Sequence, residues 1–169
     1  GPKFYNPIVK SGSNSFSFDP SKLDHVYSNI KQIKKDNSSI PLIGFCGGPL
    51  TTFLFMFRGN EKDKSFNNAL KFFYSHKKES LKILEQITEA SVEYVKGQID
   101  SGIDCFQLFE TYCGIIPSSL YKELILPFSI KILDTPPGKP NCLCLTMSSI
   151  VIVNCVTKFC IVIASLHFS

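Results

Sequence analysis

The sequence predicts an α/β fold in which strand and helix units alternate, as a layer or a barrel of parallel strands. The short run at residues 42–45 is apolar throughout, which is typical of a strand that is buried on both faces of a parallel sheet, and residues 105–109 form a second, mostly apolar run. Longer segments with apolar residues at helical spacing separate them. The resulting order of strand, helices, strand, helix and strand indicates parallel crossover connections.

One helix is predicted ahead of the first strand. Asp19 can cap its free backbone amides, and Pro20 suits the first helical turn. The polar sequence "KKDNSS" at residues 34–39 ends it. The strand at residues 42–45 follows, and Pro49 starts the next helix. The apolar stripe of the first helix comprises Leu23, Val26, Ile30 and Ile33.

The second half of the chain repeats the pattern. Helices are predicted at residues 65–74 and 77–99, and Gly102 is well placed to end the second of them. The second strand, residues 105–109, comes next, and a third helix spans residues 117–133. Further strand-like residues follow that helix, so a third strand completes the predicted alternation.

Composition indicates one folded domain and narrows the class of partner. The chain has 169 residues, of which 44% are hydrophobic and 12% aromatic, enough for a sizeable core. The formal net charge is only +4, and all but one of the 18 basic residues are lysines, the exception being Arg58. Sites that bind phosphates or several carboxylates usually rely on arginine forks, and this chain has a single arginine. We therefore expect no nucleic-acid partner.

The cysteines predict reduced thiols and a cytoplasmic location. They number seven, an odd count that argues against a secreted disulfide framework, and no cleavable apolar leader opens the sequence. Cys142 and Cys144 form a C-x-C pair of the kind that binds soft metals. One pair without a second pair or a nearby histidine is a weak zinc signal, so we expect no metal site.

Two segments lie where parallel α/β folds bind their ligands, at the carboxyl ends of the strands. "CGGPLTT" at residues 46–52 follows the first strand, and "FETYCG" at residues 109–114 belongs to the end of the second. Gly47 and Gly48 would let backbone approach a large ligand without a Cβ in the way. These segments are the predicted ligand-binding loops.

The same segments resemble the uroporphyrinogen decarboxylase family. "PLIGFCGGPLTTFLFMFRG" at residues 41–59 is similar to the family's strand, G-x-P segment, threonine and apolar run, and "QIDSGIDCFQLFETYCG" at residues 98–114 to its later segment. "YKELILPFSIKIL" at residues 121–133 resembles the helix that follows, and the opening "GPKFYNPIV" a loop ahead of the first helix. The resemblance covers about residues 1–134.

The resemblance implies a partial (β/α)8 TIM-type barrel and a tetrapyrrole substrate. Members of the family are cofactor-free homodimers. They remove four acetate carboxylates from uroporphyrinogen to give coproporphyrinogen, on the route to haem. A protonated pyrrole ring acts there as the electron sink.

The resemblance also implies a set of substrate-binding residues. Three phenylalanines of the two segments can offer flat apolar surface to a flat tetrapyrrole, although the alternative interpretation is that they belong to the core. The complete set is Phe45, Gly47, Gly48, Phe55, Phe109 and Thr111. Phe55 falls where the family has a substrate-facing tyrosine, and Thr111 falls on its serine.

The resemblance places the family's arginine motif, pyrrole-binding aspartate and carboxyl-terminal histidine outside this chain. We therefore predict no catalytic residue here and an inactive isolated chain, since a full (β/α)8 barrel needs about 250 residues. One alternative is the related corrinoid or coenzyme M methyltransferase barrel, which uses zinc and is supported here only by Cys142 and Cys144. Another is a non-catalytic interaction module.

The resemblance fades after residue 134, which divides the chain into a partial barrel, residues 1–134, and a divergent apolar tail, residues 135–169. An out-of-frame or alternatively spliced end would have this composition, whereas the rival interpretation is an intact strand pair. A membrane anchor at residues 150–166 is a third interpretation. Lys158 at its centre and many β-branched residues disfavour it, so we expect no membrane association.

Overall fold

The computed structural model describes residues 16–58 and 65–135 in full, and residues 142–147 and 150–155 as backbone strands. Its helices are α1 (Asp24–Asp36), α2 (Pro49–Arg58), α3 (Asn67–Ser75), α4 (Lys77–Asp100), α5 (Ser118–Leu124) and α6 (Leu126–Leu133). Its strands are β1 (Ile43–Gly47), β2 (Cys105–Glu110), β3 (Cys142–Met147) and β4 (Ile150–Cys155). The predicted alternation of strands and helices is confirmed.

The strands form one sheet in the order β1-β2-β3-β4. β1 pairs with β2 in parallel, with Ile43 opposite Cys105 and Gly47 opposite Phe109, and β2 pairs with β3 in parallel. β4 pairs with β3 antiparallel, because a link of two residues suits a hairpin and is far too short for a parallel crossover. The predicted parallel strand-helix units are therefore confirmed for β1, β2 and β3.

Two predicted helices differ from the structure, the first at its start and the third in its middle. The first begins as a 3-10 turn, Pro20–Leu23, and Asp19 caps it by accepting a hydrogen bond from the Ser21 amide at 3.1 Å. The third is broken into α5 and α6 at Ile125, because Pro127 has no N–H with which to continue the helical ladder. Gly102 ends α4 as predicted, with φ +102°, a backbone conformation that favours glycine.

Two clusters of buried side chains hold the elements together. The larger joins α2, α3 and α4 to the segment around α5, and its buried aromatic members are Phe53, Phe57, Phe66, Phe73 and Tyr121. The smaller lies between the sheet and the helices α4 and α6, and it includes Cys46, Phe106, Leu108, Val95 and Ile132. Full burial of one such side chain contributes about 1.5–3 kcal/mol to stability.

Only one face of β1 and β2 is covered. Residues that alternate along the strands, including Cys46, Phe106 and Leu108, are buried against the helices. Their neighbours point to the other face, where Ile43 is 56% exposed, Phe45 60% and Phe109 40%. The expectation that the first of these strands is buried on both faces is therefore wrong for the described part of the chain, which leaves an open apolar sheet face.

The tail, residues 135–169, contains a strand pair, as the rival interpretation of its composition predicted. β3 and β4 supply it, and the segment considered as an anchor, residues 150–166, therefore begins with strand residues rather than with a helix. In the stretches that the structure describes, we find no helix long and apolar enough to cross a membrane. The remainder of that segment, residues 156–166, lies outside the described residues.

Candidate functional site at the carboxyl ends of the strands

The carboxyl ends of β1 and β2 meet at the same edge of the sheet. The Gly48 amide donates a hydrogen bond to the Phe109 carbonyl at 2.7 Å, and Gly47 lies opposite Phe109 in the parallel register. Glu110 and Thr111 continue from that point. The two predicted loops are therefore neighbours, as the sequence indicated.

Glu110 fastens the two loops together. Its side chain is fully buried, and its carboxylate accepts hydrogen bonds from the amides of Leu50 at 3.1 Å and Thr51 at 2.7 Å. The Thr51 hydroxyl also donates to it at 2.5 Å and accepts a hydrogen bond from the Tyr112 amide at 3.3 Å. A carboxylate from the second loop thus caps the first turn of α2, where orphan amides and the helix dipole favour negative charge.

Burial dominates the electrostatics of Glu110. Loss of solvent raises the pKa of its carboxyl above the ordinary value of 4.5, although the hydrogen bonds from Thr51 and Leu50 act in the opposite direction. The carboxyl is wholly engaged with α2. We therefore assign Glu110 a structural role at the site.

Gly48 is required by this arrangement. A Cβ added at Gly48 would lie 2.5 Å from the carboxyl carbon of Glu110, a separation that real Cβ atoms do not show. A Cβ on Gly47 would meet only the Thr52 hydroxyl, at 2.9 Å. The expected reason for the glycine pair was room for a ligand, whereas the room above Gly48 is filled by Glu110.

Phe45 and Phe109 form a ring pair on the open apolar sheet face. Their centroids are 5.9 Å apart at an interplanar angle of 77°, an edge-to-face arrangement that is favourable for aromatic rings. At the free edge of β1, the buried Gln98 amide accepts from the Phe45 N–H at 3.1 Å and donates to the Phe45 carbonyl at 3.2 Å. Gln98 thus fixes the backbone that presents the pair.

Phe55, Phe66 and Tyr112 form a second aromatic group, the three-ring cluster. Phe55 lies 5.5 Å from Phe66 and 5.6 Å from Tyr112, and Phe66 lies 4.8 Å from Tyr112, all between ring centroids. The guanidinium carbon of Arg58 lies 4.5 Å from the Phe55 centroid and 5.0 Å from that of Phe66. The chain's single arginine therefore stands over this cluster.

The predicted site residues thus fall into two groups. Phe45, Gly47 and Phe109 share the end of the open face, whereas Phe55 lies in the three-ring cluster, and no ring contact joins the two groups in the described part of the chain. Thr111 is exposed and directly follows Glu110, the last residue of β2. The three phenylalanines are 39–60% exposed, so the alternative that they are simply core residues is wrong for the described fold.

Sequence reasoning missed two residues of the site, Gln98 and Arg58, and it placed Glu110 at this end of the sheet without identifying its role. The available signal for the role of Glu110 was its place at the end of an apolar strand. A carboxylate that is buried there needs fixed hydrogen-bond partners. Gln98 gave no signal, because its partners are backbone atoms of a distant strand. Arg58 was noted only as a compositional exception.

The described residues contain no group of three or more histidine, cysteine or acidic side chains that could hold a metal ion. Cys142 and Cys144 lie on β3, for which the structure describes only the backbone. The expectation that they hold no metal therefore stays a prediction.

A family model described as uroporphyrinogen decarboxylase matches residues 1–151, which extends beyond residue 134. A curated uroporphyrinogen decarboxylase of Sulfurimonas denitrificans is 37% identical over 139 residues, which are 79% of this chain and 40% of that protein. Those of Dichelobacter nodosus and Photobacterium profundum are each 33% identical, covering 78% and 79% of this chain and 39% of each relative. The chain therefore spans about two fifths of the length of these relatives.

Proposed function

We infer the function from one premise, which is that the chain belongs to the uroporphyrinogen decarboxylase family. We propose that residues 16–135 supply one wall of the tetrapyrrole pocket of such an enzyme. The reaction is the removal of the four acetate carboxylates of uroporphyrinogen, which gives coproporphyrinogen. The homodimeric state and the cytoplasmic location implied by the resemblance belong to the same proposal.

The open apolar sheet face carries the proposal. Phe45 and Phe109 are exposed in contact with each other on one sheet face, and Phe109 lies opposite Gly47 near the carboxyl ends of the two parallel strands, the end at which α/β folds bind their ligands. Exposed aromatic surface at such a place suits a flat apolar ligand. The partial barrel covers one side of that ligand and leaves the other open.

The chemistry requires charges that this face does not provide. Carbon dioxide leaves once a pyrrole carbon is protonated, so that the electrons of the breaking bond enter the ring, and the enzyme must donate that proton and stabilise the positive ring. The described residues of the open face on β1 and β2 are apolar or neutral, and Glu110 is engaged with α2. We propose that the chain binds the tetrapyrrole but does not decarboxylate it alone.

The proposal is tested by titrating the chain with uroporphyrin, the stable fluorescent oxidised form of the substrate. Replacing Phe45 and Phe109 together by serine should weaken binding by about tenfold or more, since two apolar rings of about 1.5–3 kcal/mol each are lost. Ile130→Ser, which removes an exposed apolar side chain of α6, is the matched control and should bind like the wild type. Equal affinity of all three proteins would contradict the proposal, and stoichiometric zinc in the purified protein would favour the methyltransferase alternative.

A further inference from the structure

We propose that Arg58 is a carboxylate-binding residue, held over the three-ring cluster so that its guanidinium can receive one carboxylate of a flat, acidic ligand. The proposed function supplies only the natural ligand, uroporphyrinogen, whose ring bears many carboxylates. The positive charge of Arg58 and the aromatic surface beneath it are observed in this chain and do not depend on the proposed function. Arg58 would therefore act as a residue that positions the ligand and selects its carboxylates.

The fold places the charge. Arg58 ends α2, and its guanidinium carbon lies 4.5 Å from the Phe55 centroid and 5.0 Å from the Phe66 centroid. A cation at this distance is attracted by the negative face of an aromatic ring, more strongly where water is excluded. Two rings thus restrict a side chain that would otherwise move freely.

One donor of this guanidinium, Nε, is unpaired among the described residues. This Nε atom is buried, and the ion pairs described among those residues are all formed by lysines. Buried donors are normally paired, and an exception calls for an explanation. An aromatic ring attracts the cation but does not replace the two oxygens that a guanidinium fork matches. A carboxylate supplies such oxygens.

The rings beneath Arg58 are themselves held in place. Phe66 is 2% exposed and has φ 56°, a left-handed conformation that is uncommon for a large side chain and persists only where its surroundings determine it. Tyr112 is tied to α2 through its amide and the Thr51 hydroxyl, at 3.3 Å. A preformed platform reduces the entropic cost of binding.

The aromatic surface favours a ring-bearing carboxylate over a simple anion. A guanidinium fork alone suits phosphate and carboxylate equally, but Phe55 is 39% exposed and offers apolar contact beside the charge. A ligand that joins a flat ring to a carboxylate uses both features. Inorganic phosphate uses only one of them.

The test measures the affinity of the full chain for trimesate, a flat ring with three carboxylates, by calorimetry. We expect binding that weakens with added salt, and a loss of about tenfold or more in Arg58→Gln, as for other hydrogen bonds to charged groups. Arg58→Lys, which keeps the charge but not the fork, should lose less. Lys122→Gln removes one exposed positive charge from α5 and should bind like the wild type.

Two further ligands identify the chemistry. The trimethyl ester of trimesate and inorganic phosphate should both bind at least about tenfold more weakly than trimesate, because each lacks one of the two features. Circular dichroism and urea unfolding check that each variant folds. Phe55→Leu, which removes the ring beneath the guanidinium, should also weaken trimesate binding if Arg58→Gln proves unstable.

The outcomes separate this inference from the proposed function. Trimesate affinity that is absent, or the same in the wild type, Arg58→Gln and Phe55→Leu, would overturn the role of Arg58. Uroporphyrin binding that depends on Phe45 and Phe109 but not on Arg58 would overturn it as well, while the proposed function survived. Arg58-dependent binding of trimesate without any binding of uroporphyrin would support the carboxylate site and contradict the proposed function.

Discussion

At the scale of single residues, the site depends on Gly48 and Glu110 acting together. The carboxylate reaches the first turn of α2 only because position 48 carries no side chain. The glycine pair indicated free space at this turn, but the sequence could not show that the Glu110 carboxylate occupies the space beside Gly48. The partner lies 62 residues along the chain from Gly48, and only the parallel register brings the two together.

Gly48→Ala should be markedly destabilising. The new Cβ would lie 2.5 Å from the carboxyl carbon of Glu110, so either the carboxylate or the turn must move, at a cost of about 1–3 kcal/mol. Gly47→Ala is the control, because its Cβ would meet only the Thr52 hydroxyl, which can rotate away. Urea unfolding measures both, and an equal loss of stability in the two variants would contradict this account of Gly48.

Titration of Glu110 should make the free energy of unfolding depend on pH. Burial raises the pKa of its carboxyl in the folded chain above the ordinary 4.5. Between pH 4.5 and that raised pKa, the folded chain holds a proton that the unfolded chain has lost. The stability that this group contributes is therefore full below pH 4.5 and falls as the pH rises through this range. The difference in free energy of unfolding between the wild type and Glu110→Gln should shrink from pH 4.5 upward.

Glu123→Gln provides the control for that titration, since Glu123 is a glutamate exposed on α5. Its loss should alter the free energy of unfolding little, since an exposed ion pair contributes little to stability. Urea unfolding at a series of pH values gives both curves. A difference for Glu110→Gln that grows with pH would show that hydrogen bonds to the carboxylate outweigh its burial.

At the scale of elements, apolar runs and helical spacing located the strands and helices of the described fold to within a few residues. The break between α5 and α6 was missed because the apolar spacing continues through Pro127, whereas the backbone hydrogen bonds do not. The sequence did not decide between the hairpin of β3 and β4 and the other interpretations of the tail. Composition alone does not distinguish an out-of-frame or alternatively spliced end from an intact strand pair, and the origin of residues 135–169 stays a prediction.

The free edge of β1 offers a test at this scale. Gln98 makes both hydrogen bonds to the Phe45 backbone, so Gln98→Leu leaves those groups without that partner and should cost about 1–3 kcal/mol. Hydrogen exchange at the Phe45 amide should become faster. Gln32→Leu removes an exposed glutamine whose side chain bonds to Asp36 on the same helix and should change neither quantity. Unaltered exchange in Gln98→Leu would contradict the assigned role.

At the scale of the whole molecule, the described fold leaves apolar surface uncovered. Ile43, Phe45 and Phe109 are exposed on one sheet face, and exposed apolar patches of this kind promote association. Resemblance to a barrel family predicted an incomplete barrel. The tendency to associate follows from the open face. The apolar run of the first strand had instead predicted a sheet that is buried on both faces.

Isolated chains should therefore associate. Sedimentation velocity at increasing concentration should show species larger than a monomer, and the variant with lysine at both Phe45 and Phe109 should shift toward monomer, since charges oppose contact between copies. Ile130→Lys is the control for added charge. A wild-type chain that stays monomeric and melts cooperatively would contradict the view that this face needs cover.

The most direct test of the central claim is turnover of uroporphyrinogen by a homologous decarboxylase in which residues 1–134 replace the matching segment. The account predicts no coproporphyrinogen from residues 1–169 alone and weak turnover by the graft. It also predicts a gain of several-fold on Phe55→Tyr, since a neutral hydrogen bond is worth about 0.5–1.5 kcal/mol. Turnover by the isolated chain, or a folded graft that stays inactive with tyrosine at position 55, would contradict the account.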